Sequence, residues 1–226
     1  QDEAVRRILQ SWEASDRVLL VLPTGCGKTI VFSEIVKRRL ASTGERALVL
    51  AHRDELLDQA AGKLQAATGI RPGLEKGSAH SDPADPIVVA SVQTLARSGR
   101  LERIVPDSFS TLIIDEAHHS MASSYQGIMN AFPKAKILGA TATPERRDGK
   151  SLGKAFSQIA YEYRLVDAVR DGWLSNPVVQ TCPLKIDLSG ARLSCGDFVP
   201  ESSAEALEPC LEAIADEIAQ RCGERH

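Results

Sequence analysis

The sequence predicts an α/β fold, a doubly wound and mainly parallel sheet with helices on both faces. Two observations carry that prediction. Five short Val/Ile/Leu/Ala runs fall at 17–22, 46–51, 87–91, 111–115 and 136–140. Each is nearly continuous in apolar residues, as strands buried on both faces are. Longer patterns of helical period separate them, and such alternation implies crossover connections within one sheet.

The elements follow in order. Ala4, Val5, Ile8, Leu9 and Trp12 share one face of an opening helix. A second helical pattern, 30–40, follows the first strand, and a third, 55–67, follows the second. Residues 69–86 are rich in Gly, Pro, Ser and Asp and read mostly as loop. After residue 176 the pattern changes. Short strands are expected at 178–181 and 184–188, a loop at 189–203, and a helix at 204–221 with Leu207, Leu211, Ile214 and Ile218 as its apolar positions. A βα pattern calls for a strand next, so the sequence is expected to continue beyond its last residue.

Composition narrows the class. Of 226 residues, 43% are hydrophobic and 25% charged, an ordinary globular balance with ample material for a core. No apolar run reaches the roughly 18–20 residues of a membrane span, and no secretory pattern opens the chain. Both absences lead to the expectation of a cytoplasmic protein without a membrane partner. Five cysteines, with no CxxC pair, argue against a zinc site or a disulfide framework. The net charge of −3 gives no basic field that would advertise nucleic acid, so any such partner must be argued from motifs.

The strongest motif is PTGCGKT at 23–29, between a buried strand and a helix. Gly25 and Gly27 permit a tight turn whose N–H groups point at phosphate oxygens. With Thr24 and Cys26 they form a cradle, and the helix N-terminus adds its partial positive charge. Lys28 is placed to reach the β/γ-phosphates of ATP, and the Thr29 hydroxyl to ligate Mg²⁺. One departure is visible. The general pattern has a glycine five residues before Gly27, where this sequence has Leu22. The bland alternative is a glycine-rich turn with a solvated lysine.

The second motif is LIIDEAHH at 112–119. It ends a buried strand in two carboxylates, at the edge where open α/β sheets bind ligands. Asp115 is placed to hold Mg²⁺, and Glu116 to polarise the water that attacks the γ-phosphate. A helix N-cap aspartate followed by a first-turn glutamate would look alike. The phosphate loop upstream favours the catalytic reading.

The order of these motifs resembles the first RecA-like lobe of superfamily 2 helicases, in the DEAH-box branch. Residues 115–118 spell the box. Residues 139–146, GATATPER, resemble the family's third motif, and Arg147, Asp148 and Gly149 extend it as in restriction-helicase-like members. Residues 50–59, LAHRDELLDQ, and 90–95, ASVQTL, resemble segments that follow the nucleic-acid backbone. The group most resembled holds type III restriction motor subunits, RadD and the branch-migration helicase Irc3.

The resemblance implies a RecA-like P-loop NTPase lobe at 1–183. It also implies that 184–226 is a linker and leading helix toward a second RecA-like lobe. Gln1 would read adenine, as the glutamine of the family's opening segment does. His118 would couple the nucleotide site to the third motif. Arg53, Gln93, Thr94, Thr141 and Thr143 would face, or relay to, the nucleic-acid groove. The implied activity is an ATP hydrolase driving a motor on nucleic acid, with DNA favoured and RNA left open. It would be nearly inactive without the second lobe and its arginines. A non-motor P-loop switch, and a scaffold that has lost its chemistry, are the alternatives. The intact loop and acidic pair argue against the scaffold; GATATPER argues against the switch. His119 is read as structural, and Trp12 and Trp173 as packing residues.

Overall fold

Strand side chains alternate between two cores. In the computed structural model, which describes residues 1–51, 54–97, 99–104, 109–144, 152–177, 193–194, 197–198, 204 and 206–222, seven parallel strands form one sheet. They are β1 (Arg17–Val21), β2 (Arg46–Ala51), β3 (Gly73–Glu75), β4 (Ile87–Ser91), β5 (Phe109–Asp115), β6 (Lys136–Thr141) and β7 (Gln158–Glu162). Their order across the sheet is β3-β4-β2-β5-β6-β1-β7, and every pairing is parallel.

Successive residues of a strand point to opposite faces. Val18, Leu20, Val49, Val89, Ile113 and Leu138 therefore share a core with α1 (Asp2–Ala14), α2 (Lys28–Thr43) and α3 (Asp54–Thr68). Leu19, Val21, Leu48, Leu50, Leu112 and Ile114 share the other, with a short helix α4 (Val92–Leu95) and with α6 (Ser123–Ala131), which follows α5 (Arg100–Arg103). Both faces are covered, which is why these strands read as unbroken apolar runs.

In α1 the buried residues are Ala4, Val5, Ile8 and Trp12, with Leu9 packed against them, so the predicted stripe is the packed one. The Trp12 indole N–H donates to the Ile137 carbonyl at 3.3 Å, satisfying its polar atom in the core. Trp173 is different. It follows α7 (Leu165–Arg170) in a turn and is 77% exposed. The expectation that it packs is corrected. Gly172, at φ +77°, turns the chain out of the helix, and Trp173 and Leu174 donate their backbone N–H to the Ala168 carbonyl. Helical periodicity ends at that turn, so it does not fix where Trp173 points.

Two other expectations need correction, those over 189–203 and 204–221. Residues 69–86, mostly loop as expected, contain the short edge strand β3, and β7 lies at the opposite edge. Both are short or partly exposed and lack the continuous apolar signal. Residues 189–203 contain a minimal antiparallel pair, β8 (Leu193–Ser194) with β9 (Asp197–Phe198). The helix expected over 204–221 is interrupted by a 3₁₀ turn, Glu208–Cys210, before α8 (Leu211–Cys222). Pro209 has no N–H to give an α-helix, and its ring crowds the preceding turn.

The chain divides into two compact units, Gln1–Ser175 and Asn176–His226. The strands expected at 178–181 and 184–188, and the 183/184 boundary, lie outside the described residues. So do Arg53 and the 147–149 extension. No helix among the described residues is long and apolar enough to cross a membrane.

Candidate functional site

The site sits where β1, β5 and β6 end, because these strands are neighbours. β1 pairs with β6 and β6 with β5, so the loop after β1 and the acidic segment after β5 flank the turn after β6. The Leu22 N–H donates to the Thr141 carbonyl at 3.0 Å, which ties the start of the glycine loop to the end of β6.

The loop at 23–29 uses both glycines in the left-handed region, Gly25 at φ +86° and Gly27 at φ +89°. L side chains seldom adopt that conformation. Space is restricted as well. A Cβ at Gly27 would collide with Gln1 Nε2, and one at Gly25 would lie 3.3 Å from the Leu174 side chain. Gly27 caps α2, and Lys28 and Thr29 form its first turn. Lys28 Nζ donates to the Leu22 carbonyl at 3.4 Å, a long contact that a stronger acceptor would displace. Thr24 is exposed, and Cys26, Lys28 and Thr29 are half-buried.

At the end of β5, burial pushes the Asp115 carboxyl above the usual carboxylate range, and the neighbouring Glu116 charge adds to the rise. The Glu116 N–H, which donates to Asp115 Oδ1 at 3.0 Å, and the Lys28 charge oppose it. Glu116 has φ +50° and is the sole non-glycine at positive φ among the described residues. Backbone strain of this kind concentrates at functional sites.

From Glu116 a polar chain runs to β6. His118 Nδ1 lies 3.3 Å from Glu116 Oε2 and 3.3 Å from Thr141 Oγ1. Thr141 Oγ1 in turn contacts the Thr143 carbonyl at 3.1 Å and accepts the Thr143 N–H at 3.2 Å. Thr141 is buried; Thr143 is exposed. The His119 ring lies against His118 with centroids 4.1 Å apart. Gly139 lets this assembly close. A Cβ there would lie 2.7 Å from Phe156 Cε1 and 2.9 Å from Ala117 Cβ. Tyr125 is buried, its ionisation pushed up to about 12 by burial and then by Asp115 and Glu116, and its hydroxyl has no partner among the described residues.

Gln93 and Thr94 lie on α4, away from this assembly. The Gln93 side chain is exposed, with Oε1 accepting from Ser91 Oγ at 2.8 Å. Thr94 is buried and accepts the Gly77 N–H at 3.2 Å.

Beside the glycine loop lies a cavity of about 510 Å³, lined in part by Gln1, Leu22, Gly25, Cys26, Tyr163 and Trp173. Tyr163 and Trp173, which line it together with Tyr161 of β7, were not among the expected site residues. Tyr163 follows an exposed edge strand, and Trp173 follows a helix-terminating glycine, so neither belongs to a motif. An aromatic immediately after an Asp-Gly pair was the available signal.

The family described as "Type III restriction enzyme, res subunit" matches residues 1–146. The Saccharomyces cerevisiae protein named as ATP-dependent helicase IRC3 is 32% identical over 218 residues, 89% of this chain and 31% of that protein. The Escherichia coli type I restriction enzyme EcoAI endonuclease subunit is 31% identical over 206 residues, 87% of this chain and 25% of its own length. A solved fragment named as an HsdR subunit of a type I restriction enzyme from Vibrio vulnificus is 26% identical. It aligns with a TM-score of 0.58 over 75% of this chain and 30% of that one. The chain thus spans about a third or less of the curated relatives it matches.

Proposed function

Because the chain belongs to the family of the type III restriction enzyme res subunit, and is a RecA-like N-terminal lobe of superfamily 2, we propose that it is the ATP-binding half of a DNA motor. The observation that carries this reading is the convergence of the glycine loop after β1 and the Asp115–Glu116 pair after β5 on the turn after β6, the strand between them. A cation on a helix N-terminus beside a carboxylate raised by burial is the donor set that phosphates and a divalent ion require.

Gly25 and Gly27 offer backbone N–H groups to the phosphates, with Thr24 at the loop's start, while the Cys26 N–H donates to the Pro23 carbonyl at 3.2 Å and would have to exchange that acceptor for a phosphate oxygen. Lys28 neutralises the β/γ-phosphate charge, and the Thr29 hydroxyl and Asp115 would hold Mg²⁺. The bound ion would neutralise charge on the phosphate oxygens. Glu116 accepts a proton from the water directed at the terminal phosphorus. Gln1, in contact with Gly27, is placed to read the base. Its amide pairs with the donor–acceptor edge of adenine, where guanine offers an acceptor instead of a donor. His118, Thr141 and Thr143 would relay the state of that site toward nucleic acid contacted by Arg53 and by the exposed Gln93 of α4, while the buried Thr94 holds the Gly77 backbone behind it and does not itself reach the groove.

DNA is favoured because a relative is a restriction endonuclease subunit. The unit Gln1–Ser175 would be the lobe, and Asn176–His226 would lead toward a second lobe. Arginines supplied by such a lobe are worth about 10³–10⁵ in rate, so the 226-residue chain should hydrolyse ATP slowly.

The test is ATPase of a longer chain that carries a second RecA-like lobe after residue 226, with no nucleic acid, with duplex DNA and with RNA, beside the 226-residue chain. The proposal requires stimulation by DNA in the longer protein and little turnover in the shorter one. Stimulation by RNA alone would reassign the substrate. Rapid turnover unaffected by either would favour a non-motor switch.

A further inference from the structure

Trp173 is the most exposed large hydrophobic residue described, yet it is held in place. Gly172, at φ +77°, turns the chain just past the Asp171 cap of α7, and the Ala168 carbonyl accepts both the Trp173 and the Leu174 N–H. Two further contacts pin this turn. The Tyr163 hydroxyl donates to Asp171 Oδ2 at 2.8 Å, and the Leu174 side chain lies against the glycine loop at Gly25. An indole is thus presented on a fixed turn at the rim of the cavity that Gln1, Gly25 and Cys26 also line.

Water-exposed indole surface has an unfavourable hydration free energy that a flat partner would relieve. The cavity beside the glycine loop is where the base of a nucleotide would project once its phosphates occupy that loop. We propose that Trp173 is a base-binding residue: it stacks on the purine of the bound nucleotide, while Gln1 reads that purine's edge. The assignment rests on the nucleotide-binding reading above. It adds the surface on which the base lies, supplied by the turn after α7 instead of by the motif segments.

Stacking contributes to nucleoside affinity but not to phosphate affinity, and this separates the two claims. Dissociation constants for Mg-ATP and for Mg-tripolyphosphate would be measured by calorimetry on the wild-type chain, Trp173→Ala, Trp173→Phe and Lys28→Ala. Trp173→Ala should weaken ATP on the order of tenfold, the scale of base–aromatic stacking, and leave tripolyphosphate unchanged. Trp173→Phe should recover most of the ATP affinity. Lys28→Ala should weaken both ligands.

Fluorescence supplies an independent readout, since Trp12 is buried and Trp173 exposed. ATP should quench the wild type, tripolyphosphate should not, and Trp173→Phe should lose the ATP response. If Trp173→Ala binds ATP normally while Lys28→Ala does not, the stacking role is overturned and the phosphate loop stands. If Trp173→Ala weakens both ligands equally, the residue supports the loop and does not touch the base. If the wild type binds neither ligand, the nucleotide reading itself fails, and the stacking role with it.

Discussion

His118 Nδ1 stands 3.3 Å from Thr141 Oγ1, joining the acidic segment after β5 to the turn after β6. The same nitrogen is 3.3 Å from Glu116 Oε2. A change at the carboxylate therefore has a short polar path to Thr141, whose carbonyl also accepts the Leu22 N–H at the start of the glycine loop.

If that path couples nucleotide to nucleic acid, His118→Ala should remove coupling without removing binding. In a chain extended by a second RecA-like lobe it should bind ATP within about twofold of wild type while losing most stimulation by DNA, the pattern of a lost transition-state or coupling contact. Steady-state ATPase with and without duplex DNA checks this. Preserved stimulation would mean that His118 only fills space.

Glu116 combines strain and chemistry. Glu116→Gln should bind ATP and hydrolyse it on the order of 10²-fold or more slowly, the scale of general-base loss. Glu116→Gly should be equally inactive but folded. Relief of a left-handed residue is worth about 1–2 kcal/mol, partly offset by about 1 kcal/mol of glycine entropy. Chemical denaturation should find its stability within about 1 kcal/mol of wild type, from these same terms. A much larger loss would make the Glu116 side chain a structural residue.

Much of this was legible in the sequence. The runs at 46–51 and 87–91 are strands with those bounds, and the runs at 17–22, 111–115 and 136–140 differ by one or two residues at an end. Central parallel strands are apolar on both faces, so their pattern is unambiguous. β3 and β7 escaped because edge strands are half-exposed, and three residues such as Gly73–Glu75 show no period. The glycine loop and the acidic pair were legible as motifs. The left-handed backbone of Glu116 was not, because nothing in a Glu-Ala pair requires it. Trp173 lies beyond a helix end, where periodicity carries no information.

Asp115 gives a pH prediction. Its carboxyl is raised by burial and then by Glu116, so the folded chain binds this proton more tightly than the unfolded chain. That contribution to stability is full below the ordinary aspartate range, near about 3.9, and is lost as pH rises through the raised value. Without magnesium, Asp115→Asn should melt above wild type at neutral pH, and the gap should narrow on acidification. Thermal melts at several pH values test it. A variant less stable than wild type at neutral pH would mean that the carboxylate is stabilised by its partners.

Gly139→Ala tests the packing behind the site. Its Cβ would press on Phe156 and Ala117, and overpacking of this kind costs about 1–3 kcal/mol. Denaturant midpoints should fall accordingly. An unchanged midpoint would show that the Phe156 ring moves aside freely.

The central claim is that residues 23–29 hold the phosphates of ATP. Isothermal titration of Mg-ATP into the wild-type chain and Lys28→Ala tests it most directly. On that claim Lys28 would supply the charge that meets the β/γ-phosphates, so the wild type should bind and the variant should show no measurable heat of binding, with its melting curve unchanged in the absence of nucleotide. Equal affinity in the two proteins would contradict the assignment.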